Sequence, residues 1–216
     1  DITAAFPRWS PDGQWIVFGG QANAGPWQIY KVPAGGGPAT VMAAAHVPKG
    51  ADLQAPDWSP NGESLSVTVS LPGSRTAIGI LRHGVLTLLP GSDQFSSAHW
   101  SPDGRRLAAY SNDQRQVLLY NFDQAGWQVV AHGNAFTGPL WSADGSVYFQ
   151  DLLAPSEPLF RYHPGARAPE PVAEFSAILN GGVHRCGFTG FAPGGALLLS
   201  LNRSSADLYR ATLDLP

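Results

Sequence analysis

Trp100-Ser101-Pro102-Asp103-Gly104 is the stretch on which the reading of the fold turns. The same phrase stands at Trp9-Ser10-Pro11-Asp12-Gly13, at Trp58-Ser59-Pro60-Asn61-Gly62 and at Trp141-Ser142-Ala143-Asp144-Gly145. A decayed copy is Phe191-Ala192-Pro193-Gly194-Gly195. The lead aromatics are 49, 42, 41 and 50 residues apart. Three copies carry a proline two residues before the tryptophan: Pro7, Pro56 and Pro139. Five in-phase copies at this period predict an all-β fold, a β-propeller of four-stranded antiparallel blades.

The residues around each copy fit such a blade. In the third unit Phe95–Ser101 reads as a strand running into a Pro-Asp-Gly turn. Arg106–Ser111 and Gln116–Phe122 follow as strands, and Asp123–Gly126 turns the chain into Trp127–Ala131. Turn residues stand where hairpins need them. The first unit repeats the plan with Trp15–Phe18, Trp27–Val32 and Ala39–Met42. The blades are expected at about 5–43, 53–89, 95–132, 137–175 and 184–216 of a single propeller domain, whole or in part. The longer units place their extra residues between blades, near 44–54 and 176–187, where function is often grafted. Five repeats are visible, in a propeller that is either five-bladed or part of a six-bladed or larger one. Asp1-Ile2-Thr3 is expected to complete the last blade as the tail of its outer strand.

Composition agrees and excludes other classes. The 216 residues include 25 Gly and 19 Pro, about a fifth of the chain, which argues against long helices. Charged residues are 13%, against about 25% in an ordinary soluble domain. The net charge of −3 gives no basic surplus to neutralise phosphates, so direct nucleic-acid binding by this segment is not expected. No run of 18 apolar residues occurs, so membrane insertion is not expected, and the first residues do not read as a signal peptide. A single cysteine, Cys186, allows no internal disulfide.

The phrase Trp-Ser-Pro-Asp-Gly before an apolar strand resembles the TolB-like, PD40-type propeller repeats of bacteria, over nearly the whole chain. Leu89-Pro90-Gly91-Ser92-Asp93 leading into Trp100–Arg106, together with the ending Asp207–Pro216, is similar to the C-terminal sensor-like propeller of CadC-like winged-helix transcriptional regulators. The resemblance implies a binding or sensor domain whose DNA-binding domain lies upstream in the full-length protein. It places the protein in the bacterial periplasm, or tethered to the membrane, rather than in the cytoplasm. Ala143, Asn61 and Phe191 depart from the repeat and weaken single turns.

Each lead tryptophan is expected to fill the seam between blades, so Trp9, Trp58, Trp100 and Trp141 should be largely buried. Asp12, Asp103 and Asp144 precede glycine in tight turns, where a short carboxylate bonds nearby backbone N–H groups. The residue before each lead aromatic points the other way. These are Arg8, Asp57, His99, Leu140 and Gly190. Arg8, Asp57 and His99 are therefore the candidates for a ligand site at the mouth of the central channel. His184 and Arg185 are candidate contacts on an inter-blade loop, and His184 with Cys186 has strand spacing for one shared ligand.

No G-x-S-x-G nucleophile motif and no convergent metal-ligand spacing is present, so no catalytic residue, metal or cofactor is expected. The sequence reading is a non-enzymatic domain that binds an unknown protein or a small polar ligand. A dimer is expected if the propeller is open. The alternatives are a propeller enzyme, a lyase or hydrolase using Asp57 and His99 as an acid/base pair, or the accessory propeller of an oligopeptidase.

Overall fold

A computed structural model describes residues 2–179, 185–202 and 207–210. The described residues form five antiparallel sheets and one four-residue helical turn, α1 (Ser176–Leu179). Blade 1 is β1 (Ile2–Trp9), β2 (Trp15–Ala22), β3 (Trp27–Pro33) and β4 (Thr40–Val41). Blade 2 is β5 (Asp52–Trp58), β6 (Ser64–Leu71), β7 (Arg75–Arg82) and β8 (Val85–Leu88). Blade 3 is β9 (Phe95–Trp100), β10 (Arg106–Ser111), β11 (Gln116–Asn121) and β12 (Gly126–His132). Blade 4 is β13 (Leu140–Trp141), β14 (Val147–Gln150), β15 (Pro158–Tyr162) and β16 (Glu170–Glu174). Blade 5 shows β17 (Arg185–Phe191), β18 (Leu197–Asn202) and β19 (Asp207–Arg210). Every sheet keeps its strands in chain order, so each blade is a meander that starts at the axis and ends at the rim.

The repeated phrase builds the first hairpin of blades 1 to 4 by local hydrogen bonding. Ser10 Oγ donates to Asp12 Oδ1 and accepts the Trp15 N–H, while the Gln14 N–H donates to the same Asp12 oxygen. Gly13, at φ +69°, closes the turn onto the Ser10 carbonyl. Ser59 with Asn61, Ser101 with Asp103, and Ser142 with Asp144 repeat the arrangement. Ser111 and Asp113 use it once more in the β10–β11 hairpin. The bonds from Ser10 and Gln14 hold the Asp12 carboxyl below its usual range. Ser142 and the Ser146 N–H do the same for Asp144 against the opposing pull of burial. At Asp103 burial is the largest single influence and raises the value, but Ser101, the Arg105 N–H and the charge of Arg106 together outweigh it.

Four apolar clusters hold the blades together, one per seam. Leu65, Val67 and Val69 of β6 pack on Val17 and Ile29 of blade 1. Leu107 and Ala109 of blade 3 meet Ile78 of blade 2. Val147 and Phe149 of blade 4 meet Ala108, Val117 and Leu119 of blade 3. Cys186, Phe188, Leu197 and Leu199 of blade 5 meet Tyr148 and Leu159 of blade 4. Blades 2 to 5 thus each bury a leading face, which carries the lead aromatic, against the trailing face of the blade before.

Two expectations need correction. Trp9 is not buried: 62% of it is exposed, because among the described residues no blade packs on the leading face of blade 1. Trp58, Trp100 and Trp141 are half-buried, since they lie where the seams open towards the axis. Ile2 and Thr3 do not extend blade 5. They pair with Ala22 and Gln21, because β2 is long enough to carry the local hairpin to its end.

Trp100 in a seam and Trp9 on an open face should differ in urea unfolding. Trp100 stacks on Phe122 at 5.0 Å, so Trp100→Ala should cost about 3 kcal/mol, the lower end for emptying a large aromatic site. Trp9→Ala should cost under about 1 kcal/mol, as for an exposed site. Equal losses would contradict the assignment of faces.

The turns make an acid prediction. A carboxyl held low in the folded state adds stability above its unfolded value of about 3.9, and that stability is lost as the pH falls below it. Asn61 shows that an amide makes the same bonds. Asp144→Asn should therefore be nearly neutral at pH 7 and should flatten the loss of stability below about pH 4. An unchanged acid slope would remove Asp144 from this account.

Candidate functional site

The first strand of each blade lines the axis, and a bulge in it decides which residue points there. The β1–β2 register shifts between Ala5 and Arg8, and the β5–β6 register between Gln54 and Asp57. The β9–β10 ladder breaks its register at Ala108/Tyr110, and the β17–β18 ladder at Phe188/Gly190. Phe6, Ala55 and Ser97 occupy these bulges with φ of 57°, 46° and 51°. Pro7 and Pro56 follow the first two, at positions where the ladder asks for no N–H. The extra residue changes the phase of the strand. The next position then faces the axis while the lead aromatic stays in the seam.

A cavity of about 340 Å³ lies where these positions meet. Its wall includes Arg8, Asp57, His99, Leu140 and Gly190, one from each blade, with Thr189 and Phe191 beside them. Sequence spacing over 183 residues thus converges on one opening. Larger clefts lie in the seams, such as one of about 550 Å³ between Trp15, Lys31 and Trp58. Their polar residues are largely committed to the turns, and Lys31 sits 4.6 Å over the Trp15 ring.

Asp57 is the hub of the cavity. Its Oδ2 accepts the Trp100 N–H across the seam at 2.9 Å. Its Oδ1 lies 3.3 Å from Arg8 Nε and 3.6 Å from His99 Nδ1. Both contacts are ion-pair distances; the longer one is beyond hydrogen-bond length. Side-chain exposure is 39% for Arg8, 17% for Asp57 and 11% for His99. Arg8 donates from Nη1 to the Pro7 carbonyl at 3.2 Å. The His99 carbonyl accepts the Trp141 Nε1–H at 2.8 Å, which fixes the β9 backbone against blade 4. His99 Nε2 faces Gly138, in the segment leading into β13, 3.9 Å from where a Cβ there would stand. Guanidinium has five N–H donors and most are not committed here, so the cavity presents more donors than acceptors.

The structure therefore brings Arg8, Asp57 and His99 together. Arg185 is exposed at the start of β17, away from them, and His184 lies outside the described residues. Cys186 is buried in the seam between blades 4 and 5, and burial pushes its thiol up to about 11. It remains a protonated, unreactive thiol at neutral pH. Among the described residues no group of three or more His, Cys, Asp or Glu stands close enough to hold a metal. Among the described residues no helix is long and apolar enough to cross a membrane. The part of the site not visible in the sequence is the use of Asp57 as an acceptor for the next blade's backbone. Its signal was the one acidic residue in the row before the aromatics.

No protein-family model matches the chain. A stretch of 65 residues, 30% of the chain, is 42% identical to the uncharacterized peptidase YuxL of Bacillus subtilis (strain 168) and spans 9% of that protein. A putative TolB from Agrobacterium tumefaciens superposes with a TM-score of 0.74 at 17% identity, over 94% of this chain and 72% of that one. A puromycin-hydrolyzing peptidase of Mycobacterium tuberculosis superposes with a TM-score of 0.62 at 16% identity, over 98% of this chain and 38% of that one. These likenesses define the class: the chain has the fold of a TolB-like β-propeller, a fold also found in peptidase propellers.

Removing the hub should be felt in stability. Asp57→Ala leaves the Trp100 N–H without its acceptor and the Arg8 guanidinium without its counter-charge. Thermal or urea unfolding should show a loss of about 1–3 kcal/mol. Arg8→Ala, at a more exposed ion pair, should cost under about 1 kcal/mol. The reverse order would contradict the hub role of Asp57.

Proposed function

We propose that this chain is a non-enzymatic binding domain that takes a carboxylate-bearing group, from a peptide or a small polar ligand, at the axial cavity. The observation that carries the reading is the convergence of Arg8 and His99 on one opening, charge-balanced by Asp57 yet rich in uncommitted donors. A carboxylate matches an arginine through two parallel hydrogen bonds and needs no rearrangement of the hub. Binding would act by changing how the domain sits on its neighbours. The TolB-like fold supports a binding propeller without naming its ligand. The finer reading, a sensor domain of a CadC-like regulator, rests on the Leu89–Asp93 and Asp207–Pro216 stretches. A periplasmic or membrane-tethered location goes with the TolB-like resemblance.

A second reading is favoured by the 65-residue match to a peptidase: an accessory propeller beside a hydrolase domain. There the same donors would meet peptide substrates on their way to the active site.

A thermal-shift screen with small mono- and dicarboxylates and with peptides bearing free or amidated C-termini tests the proposal. Free carboxylates should raise the melting temperature, and amidated peptides should not. Arg8→Ala and His99→Ala should each weaken binding by about 1–3 kcal/mol. Ligands that bind both variants as well as the parent would remove the axial site. Turnover of any ligand, abolished by Asp57→Asn, would move the assignment to the acid/base alternative.

A further inference from the structure

The wall of the axial cavity changes character from blade to blade. Blades 1 to 3 bring Arg8, Asp57 and His99 to it, whereas blades 4 and 5 bring Leu140 and Gly190, flanked by Trp141 and Phe191. A carboxylate engages only the first part of this wall. The second part is apolar and is free to receive whatever the carboxylate is attached to.

That apolar part is held in place. Trp141 is pinned by its Nε1–H on the His99 carbonyl at 2.8 Å. Leu140 and Phe191 pack on the cluster of the blade 4–5 seam, where Phe191 meets Tyr148 edge-on at 5.0 Å. Leu140, Trp141 and Phe191 are nonetheless only half-buried. Gly190 adds backbone alone, at a φ of +148° that other residues rarely adopt. A Cβ there would stand 4.0 Å from Leu140 Cδ1, so the glycine leaves that side of Leu140 uncovered. The polar groups beside them are committed: the Thr189 hydroxyl donates to the Leu198 carbonyl at 3.0 Å.

Size limits how much of a ligand enters. Ligand pockets run from about 300 to 1,000 Å³. At about 340 Å³ this one takes a single residue or a small acid, not a length of peptide.

We propose that the axial site prefers a carboxylate joined through one carbon to an apolar group. The last residue of a peptide ending in leucine or phenylalanine has this form, and so does a free acid such as 4-methylpentanoate. The preference rests on the carboxylate reading: Arg8 holds the carboxylate, and Leu140, Trp141 and Phe191 receive the apolar group.

Calorimetric titration of the 216-residue chain with acetylated Ala-Ala-X peptides tests it, with Gly, Leu, Phe or Glu as the last residue and each as free acid and as amide. The Leu and Phe acids should bind about tenfold more tightly than the Gly acid, as for half-burying such a side chain. The Glu acid should gain nothing over Gly, and the amides should not bind. The same ratio for 4-methylpentanoate over acetate extends the preference to free acids; a ratio confined to the peptides assigns the site to chain ends. Leu140→Thr should shrink the Leu-to-Gly ratio to about threefold or less, whereas Arg8→Ala should weaken both peptides alike and keep the ratio. The peptide series on the parent chain stands even if a variant fails to fold. Free acids that bind equally whatever their last residue overturn this inference and leave the carboxylate reading intact. A Leu-to-Gly ratio that a folded Leu140→Thr chain keeps also overturns it. Failure of every free acid to bind, or equal binding of acids and amides, overturns the carboxylate reading and this inference with it.

Discussion

Everything in this molecule depends on the burial of one sheet face against the next. A single four-stranded meander has two faces and cannot bury either alone. The repeat solves this by giving each blade an apolar leading face, such as Leu65-Val67-Val69, and a matching trailing face, such as Val17 and Ile29. Ser-x-Asp-Gly turns, with Asn61 in place of the Asp in blade 2, then hold the first hairpins of blades 1 to 4 in the register that keeps those faces in phase. A slip of one residue would send every one of these side chains to the wrong seam.

The same stacking creates the site. With the lead aromatic held in the seam, the preceding residue faces the axis, and a bulge at Phe6, Ala55 or Ser97 sets that phase. Arg8, Asp57 and His99 are more than forty residues apart from one to the next, yet they meet because three blades present the same position to one opening. Asp57 then ties the arrangement to the backbone by taking the Trp100 N–H. Site and scaffold are thereby coupled through one carboxylate.

Much of this was legible in the sequence because the deciding interactions are local or periodic. The Ser10–Asp12 and Ser101–Asp103 turns involve residues two apart, and the strands of blade 3 follow from alternation and turn residues. The row facing the axis was legible from its place before each aromatic. Exposure of Trp9 was not, because its sequence matches that of Trp58 and differs only in what stands opposite. The pairing of Ile2 with Ala22 depends on how far β2 extends, which no residue type announces. Pro7 and Pro56 hint at the bulges, but Ser97 carries one with no proline after it. The bond from Trp100 to Asp57 crosses a seam, and nothing within blade 3 signals it.

The coupling of site and scaffold is open to one direct measurement, amide hydrogen exchange at Trp100 with and without Asp57. In the parent chain the Trp100 N–H should exchange slowly, since its acceptor is a half-buried carboxylate of the neighbouring blade. In Asp57→Ala it should exchange far faster, while the amides of β10 and β11 keep their protection. Equal protection of Trp100 in both chains would contradict the account, because the axial residues would then be neighbours without being tied to the fold.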